Sequence, residues 1–379
     1  MSHDRWNAIV DVAADPGGGS GPLAGVRIGV KSNIAVAGMP HTGGMAHLRG
    51  KIAPRDAHVV AQLRSAGASI TASLNMHEAA LGATTDNAFY GRTHNPHRIG
   101  YTPGGSSGGS GAAVAARLVD LALGTDTLGS VRLPAAYCGV YGLKPTHGAV
   151  NEDGLLYLDP ALDCIGPLAR DLNLIKQAWD VIGNGGGEED FSRLLLLDDL
   201  AGVVCEPAVL TGYQAARAAL DLPATVIRLP EPPTVIRLAA LTGSVRYLIG
   251  ALGEHRADAS AELHFVLDAL EHAASNSALL AAVRAVLLEA LGDDGVALLP
   301  TAPQAAFAHG CRPPSNQADF TGLANIAGLP AIALPSGWSD DGLPVSVQLV
   351  GPAGSERRLI ALACRLDAAL NQYRPPKGE

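Results

Sequence analysis

The chain has 379 residues, 47% of them apolar, enough for one large domain or two ordinary ones with a sizeable buried core. A formal net charge of −9 argues against non-specific nucleic-acid binding, which needs Lys and Arg to neutralise phosphates. Aromatic residues make up only 4%, so Ala, Leu and Val must fill the core.

The five cysteines, Cys138, Cys164, Cys205, Cys311 and Cys364, are scattered and form no C-x-x-C pair. That argues against a disulfide framework or a zinc knuckle. The opening Met1 to Trp6 has no apolar signal region, and no run approaches the ~18 apolar residues of a membrane span. A soluble cytoplasmic protein is the expectation.

Residues 1–20 are polar and then Gly-rich, and read as a flexible N-terminal segment. Val26, Ile28 and Val30 alternate as in a strand, and Lys31 falls on the opposite face. Asp56 suits the N-cap of a helix carrying Val59, Val60 and Leu63, with Gly67 as its stop. Ser69 to Ala72 reads as the next strand, and this alternation predicts an α/β layer structure. His77 and Glu78 are adjacent and point apart, which favours a structural or surface role over an acid/base pair.

Two Gly/Ser loops come next. Thr102-Pro-Gly-Gly-Ser-Ser-Gly-Gly-Ser-Gly111 leads into a small-residue helix pattern, and Gly124-Thr-Asp-Thr-Leu-Gly-Ser-Val-Arg-Leu-Pro134 follows it. Glycine allows positive φ and close approach, and a serine between glycines presents its hydroxyl in an uncrowded place. No ordinary packing need accounts for so many small residues, so the pair of loops marks a candidate site.

Beyond them, Gly185 to Glu189 reads as a loop and Leu194 to Leu197 as a strand. Thr225-Val-Ile-Arg-Leu229 recurs as Thr234-Val-Ile-Arg-Leu238, too short a period for a solenoid. Ala259 to Leu291 predicts two helices. Val345, Val347 and Leu349 alternate as a strand, and Ser355 caps a final amphipathic helix.

The two loops resemble the signature of the amidase signature family, the Ser-Ser-Lys amidohydrolases: GGSSGGS, then GTD-x-x-GS-x-R-x-PA. Gly29-Val-Lys-Ser-Asn-Ile-Ala-Val-Ala-Gly38 is similar to the family segment that carries the catalytic lysine, with Ser32 where the family usually has Asp. Leu143-Lys-Pro-Thr146 and Asp163-Cys-Ile-Gly-Pro-Leu-Ala-Arg170 continue the likeness, which covers residues 22–185 and 295–370. It implies one domain over residues 1–379, a mixed β-sheet core covered by α-helices. Residues 187–290 form a divergent, shortened helical region that shapes the substrate pocket.

The same resemblance implies the chemistry. Ser130 is the nucleophile and Ser106, 24 residues upstream, the bridging serine, with a cis peptide bond before it. Lys31 is the base, and must lose its charge through burial to accept a proton. Backbone N–H groups of Thr127, Leu128 and Gly129 are candidates for oxyanion donors, with Leu128 standing where relatives carry Gly. Ser107 supports the loop or the oxyanion site, the loop near Ala80 offers a backbone group to substrate, and Asp126 pairs with Arg132.

Other readings are weaker. Gly104 to Gly108 satisfies G-x-S-x-G, but residues 97–103 supply no apolar strand before it. No phosphate-binding G-x-x-x-x-G-K-[ST] is present. His94 and His97 sit in a Pro-bearing loop without other ligands, so no metal and no cofactor are expected. The expected function is hydrolysis of a small carboxamide. The partner is a small-molecule amide, with no nucleic acid and no membrane, and a homodimer left open. The alternatives are a glutamine-hydrolysing amidotransferase of the A-like type, against which the trimmed middle region argues, and a catalytically silent scaffold, against which the presence of all three polar residues argues.

Overall fold

The computed structural model describes residues 4–183, 186–187 and 189–377. The first part of the chain forms β1 (Ile9–Val12), β2 (Arg27–Lys31), α1 (His58–Ser65), β3 (Ser69–Leu74) and the short pair β4 (Asp86–Asn87) and β5 (Gly91–Arg92). Then come α2 (Gly108–Ala115), β6 (Leu121–Thr125), α3 (Arg132–Cys138), β7 (Tyr141–Lys144), β8 (Ile165–Ala169) and α4 (Leu172–Ile182). The middle contributes β9 (Arg193–Leu197), α5 (Pro207–Ala219), β10 (Ala224–Ile227), α6 (Pro233–Leu252), α7 (Ala261–Leu270) and α8 (Ser277–Leu291). The last part adds β11 (Gly295–Pro300), α9 (Gly322–Ala327), β12 (Ala331–Trp338), β13 (Pro344–Val350) and α10 (Glu356–Leu370).

Eleven strands make one mixed sheet in the order β1-β3-β2-β6-β8-β7-β12-β13-β11-β9-β10. β3, β2 and β6 run parallel, as do β11, β9 and β10, and the centre is antiparallel. Every residue of β6, β8, β11 and β13 is buried, because helices cover both faces. This bears out the mixed-sheet expectation. The chain's two similar segments meet at the β7–β12 pair, where Gly142 lies opposite Ala333. The middle segment is not only helical: β9 and β10 extend the sheet at one edge.

Three local expectations are corrected. The N-terminal segment is not all loose: Ile9–Val12 pairs antiparallel with β3, Ile9 opposite Leu74, and closes that sheet edge. Asp4 anchors it by accepting from the N–H groups of Trp6 and Ile9. Asp56 does not cap α1, whose N-cap is Ala57; its carboxylate accepts from Ala37 N at 2.8 Å and Arg64 Nε at 2.9 Å. Ser355 does sit at the N-cap of α10, but its hydroxyl donates to Pro352 O at 2.6 Å. The loop read at Gly185 to Glu189 lies partly outside the described residues.

Packing explains part of the Gly/Ser richness that the sequence assigned to a site. All of α2 is buried, wedged between the sheet and α3. A Cβ on Gly109 would lie 2.3 Å from Asn75 O, so only a bare backbone fits there. The helix α6, with the turn that follows it, is long and apolar enough to cross a membrane by length and composition. Here Ile236, Ala240, Val245 and Leu248 are buried against neighbouring core, while Val235, Leu238 and Tyr247 on the same helix are exposed.

Candidate active site

The site forms where β2, β6 and the two Gly/Ser loops meet. β2 ends on Lys31, and its parallel neighbour β6 ends on Thr125, so both side chains emerge at the C-terminal edge of adjacent strands. Lys31 is fully buried. Its Nζ lies 2.7 Å from Ser106 Oγ and 2.7 Å from Thr125 Oγ1. Asn33 Nδ2 also donates to Thr125 Oγ1 at 3.3 Å. Burial pushes the lysine down from its ordinary value to about 7, against the opposing pull of Asp163 and Asp126. The residue therefore exchanges its proton near neutrality.

Ser106 follows a cis Gly105–Ser106 peptide bond and is fully buried. His77 N donates to Ser106 O at 3.0 Å, and Thr85 Oγ1 donates to Gly104 O at 2.8 Å. Ser107 turns its hydroxyl away from the cavity, onto Thr125, donating to Thr125 O and accepting from Thr125 N. Its N–H donates to Ser130 O at 3.3 Å, tying the two loops together. Ser107 is thus a loop support.

Ser130 is 9% exposed and lines a cavity of about 190 Å³. Among the described residues no hydrogen bond joins its hydroxyl to Ser106. In unliganded sites such contacts are often long and close only around substrate. The N–H groups of Thr127, Leu128 and Ser130 have no acceptor among the described residues, and all three residues line the cavity. Gly129 differs from the expectation. Its N–H donates to Asp126 Oδ1 at 2.7 Å, so it is not free for an oxyanion. Its φ is +134°, and a Cβ there would come within 2.2 Å of Thr321 Oγ1, so glycine is required for shape. Leu128 lines the cavity and narrows it, and its carbonyl accepts from Thr321 Oγ1 at 2.6 Å. Ala80 also lines the cavity, from a turn in which Ala79 and Ala80 both hold positive φ.

A buried brace fixes the loop that carries Ser130. Asp126 and Arg132 are both fully buried and paired, with Arg132 Nε 3.0 Å from Asp126 Oδ2. Asp126 also accepts from the N–H groups of Gly129 and Val131. Burial works to raise this carboxyl, but the charge and hydrogen bonds of Arg132, together with Lys144 and Asn325, outweigh it and hold it at about 2. Arg132 reaches Gln348 Oε1 on β13 at 2.7 Å and Asn325 Oδ1 on α9 at 2.6 Å. A second buried carboxyl, Asp163, accepts from Thr127 Oγ1 and from the N–H groups of Leu158 and Asp159. Burial lifts it to about 6.

The adjacent pair His77 and Glu78 is buried, not at the surface, and lies outside the cavity lining. The Glu78 carboxylate accepts from Ser260 N and Oγ at the start of α7, a structural task. His94 and His97 bind backbone: His94 Nδ1 accepts from Gly100 N, and His97 Nε2 contacts Cys138 O. A cluster that the sequence did not suggest, His147, Glu152 and Cys164, places one ligand atom each within 4.8 Å of the others. Lys144 Nζ lies 3.6 Å from that sulfur, which puts a competing amine at the same place.

The Amidase family model matches residues 5–186 and 262–360. The chain belongs to the amidase family. It is 35% identical over 420 aligned positions to the A-subunit of glutamyl-tRNA(Gln) amidotransferase from Haloarcula marismortui, covering 94% of this chain and 98% of that protein. The crystal structure of the corresponding A-subunit of glutamyl-tRNA(Gln) amidotransferase from Thermotoga maritima superposes with a TM-score of 0.84 at 29% identity, over 98% of this chain and 90% of that one. A 6-aminohexanoate cyclic dimer hydrolase, solved with its substrate, superposes with a TM-score of 0.81 at 27% identity, over 94% of this chain and 88% of that one.

Within this amidase-family chain, sequence reasoning missed Thr125 as a partner of Lys31, Asp163 as the acceptor behind Thr127, and Arg237 on the cavity wall. Thr125 was readable in principle as the strand residue directly before Asp126. Arg237 lies outside both segments matched by the family model, where no motif marks it.

Proposed function

We propose that this chain is an amidase that hydrolyses the C–N bond of a small carboxamide through an acyl-enzyme on Ser130. The observation that carries the reading is the buried Lys31 bonded to Ser106, beside a Ser130 that faces a cavity under unpaired N–H groups. Neutral Lys31 takes the Ser106 proton as Ser106 takes that of Ser130. Ser130 Oγ adds to the amide carbonyl, and the oxyanion accepts from Thr127, Leu128 and Ser130 N–H. Collapse breaks the C–N bond, and the leaving nitrogen collects the proton through Ser106. Water, activated by the same relay, then cleaves the ester and restores Ser130. No step calls on a metal.

A second reading has its own support, in the full-length likeness to the A-subunit of glutamyl-tRNA(Gln) amidotransferase. It makes glutamine the amide and the ammonia a product passed to a partner. Against it stands the cavity lining. Among the described residues it contains no Asp or Glu, so the α-ammonium of glutamine would have no carboxylate to meet. The test is turnover by the isolated chain. Ser130→Ala should lose hydrolysis of small amides while keeping its circular dichroism, and glutamine should be a poor substrate for wild type. Undiminished amide turnover in folded Ser130→Ala would overturn the main reading. Efficient glutaminase activity would favour the second.

A further inference from the structure

Arg237 stands on α6, a mostly apolar helix, and lines the same cavity as Ser130. Among the described residues it is the only charged side chain in that lining, which is otherwise mostly Ala, Leu and other neutral residues. Its side chain is 10% exposed, and its partner Asp319 is 1% exposed. The pair is held along one edge: Arg237 Nε donates to Asp319 Oδ1 at 2.7 Å, and Thr234 Oγ1 donates to Asp319 Oδ2. That anchoring uses one of the five guanidinium N–H donors. Among the described residues neither Nη nitrogen has an acceptor. The remaining edge of this guanidinium is the fork that matches a carboxylate with two hydrogen bonds.

We propose that Arg237 selects the substrate, and that the substrate is a small carboxamide bearing a carboxylate, bound by the two Nη groups while its amide lies at Ser130. This rests on the amidase reading above and deepens it. The lack of any acidic residue among the described residues of the lining sharpens the class: the substrate carries the carboxylate without an ammonium group. The monoamide of a short dicarboxylic acid has that chemistry. The Asp319 charge compensates that of Arg237. Its position on the Nε edge leaves the Nη edge free for the incoming anion.

The test compares succinamate with butyramide, which replaces the carboxylate by a methyl group. Wild type should show a higher kcat/KM for succinamate, and Arg237→Gln should lower the succinamate-to-butyramide ratio by about 100-fold, chiefly through KM. Arg237→Lys, which keeps the charge but not the fork, should restore only part of it. Because Arg237→Gln leaves Asp319 buried without its partner, the double variant Arg237→Met/Asp319→Asn serves as a second test with neither charge. It should show the same collapse of the ratio. Equal wild-type kcat/KM for the two amides, turnover of neither, or an unchanged ratio in both variants overturns the assignment. Hydrolysis retained in Ser130→Ala would instead strike the amidase reading, whatever Arg237 does.

Discussion

Lys31 is the residue on which the proposed chemistry turns. Its burial holds the amine near 7, and a base must be neutral, so kcat/KM should fall as pH drops through that value. Lys31→Arg should fail as well, because a guanidinium keeps its proton. Either change should cost roughly 10²–10⁴-fold, more where the relay fails as a unit. Stability carries the same signature. The folded state releases this proton more readily than the unfolded one, so the lysine's destabilising effect is full below about 7 and fades toward 10.5. Lys31→Met should therefore stabilise the fold, more at about pH 6 than at about pH 9, in denaturant titrations. Ser32 is buried with its hydroxyl unpartnered. An aspartate there adds negative charge one residue from Lys31, so Ser32→Asp should move the acid limb of the kcat/KM profile to higher pH. An unmoved limb would contradict the assignment of that limb to Lys31. Lys31, Ser106 and Ser130 were legible because each lies in a contiguous, unusual run of residue types. Thr125, Asp163 and Arg237 were not, because their roles arise from what folding places beside them.

At the scale of elements, context decides what local sequence leaves open. The pentapeptide Thr-Val-Ile-Arg-Leu occurs twice. At 225–229 its first three residues lie in β10, paired in parallel with Leu195 to Leu197 of β9. At 234–238 it lies in α6, directly after Pro233 at the first helical position. Proline there presets the helical φ, while the first copy meets an open sheet edge. The β1 strand was missed for a related reason. Four residues next to a Gly-rich run look like loop until β3 offers a partner. The helix α2 yields a prediction of its own. Gly109→Ala puts a methyl group 2.3 Å from Asn75 O, so it should destabilise by about 1–3 kcal/mol and lower turnover by shifting the Ser106 loop. Wild-type stability in that variant, by denaturant titration, would mean that the helix is not packed this tightly. The Asp126–Arg132 brace is the second lever: Arg132→Met leaves a buried carboxylate alone and should cost about 3–5 kcal/mol.

Across the whole molecule, one sheet joins segments far apart in the chain, and Arg132 is satisfied by Gln348 and Asn325 from the C-terminal part. The three tryptophans sit in different places, Trp6 before β1, Trp179 in α4 and Trp338 in β12. If the sheet unfolds as a unit, fluorescence and far-ultraviolet circular dichroism should give coincident denaturant transitions. Separate transitions would divide the chain into independent parts. The mixed α/β architecture could be expected from alternating patterns and the resemblance. The placement of β9 and β10 at the sheet edge could not, because long-range pairing leaves no local mark. Activity should also survive exhaustive chelation, since Lys144 crowds the His147–Glu152–Cys164 cluster.

The most direct test of the central claim is to find the acylated residue. A serine-directed sulfonyl fluoride should inactivate the enzyme and leave one modified peptide, which mass spectrometry should place at Ser130, with Lys31→Met slowing the labelling by roughly 10²-fold or more. A label on Ser106 or Ser107, or labelling of Ser130 at an undiminished rate without Lys31, would contradict the roles assigned to these residues.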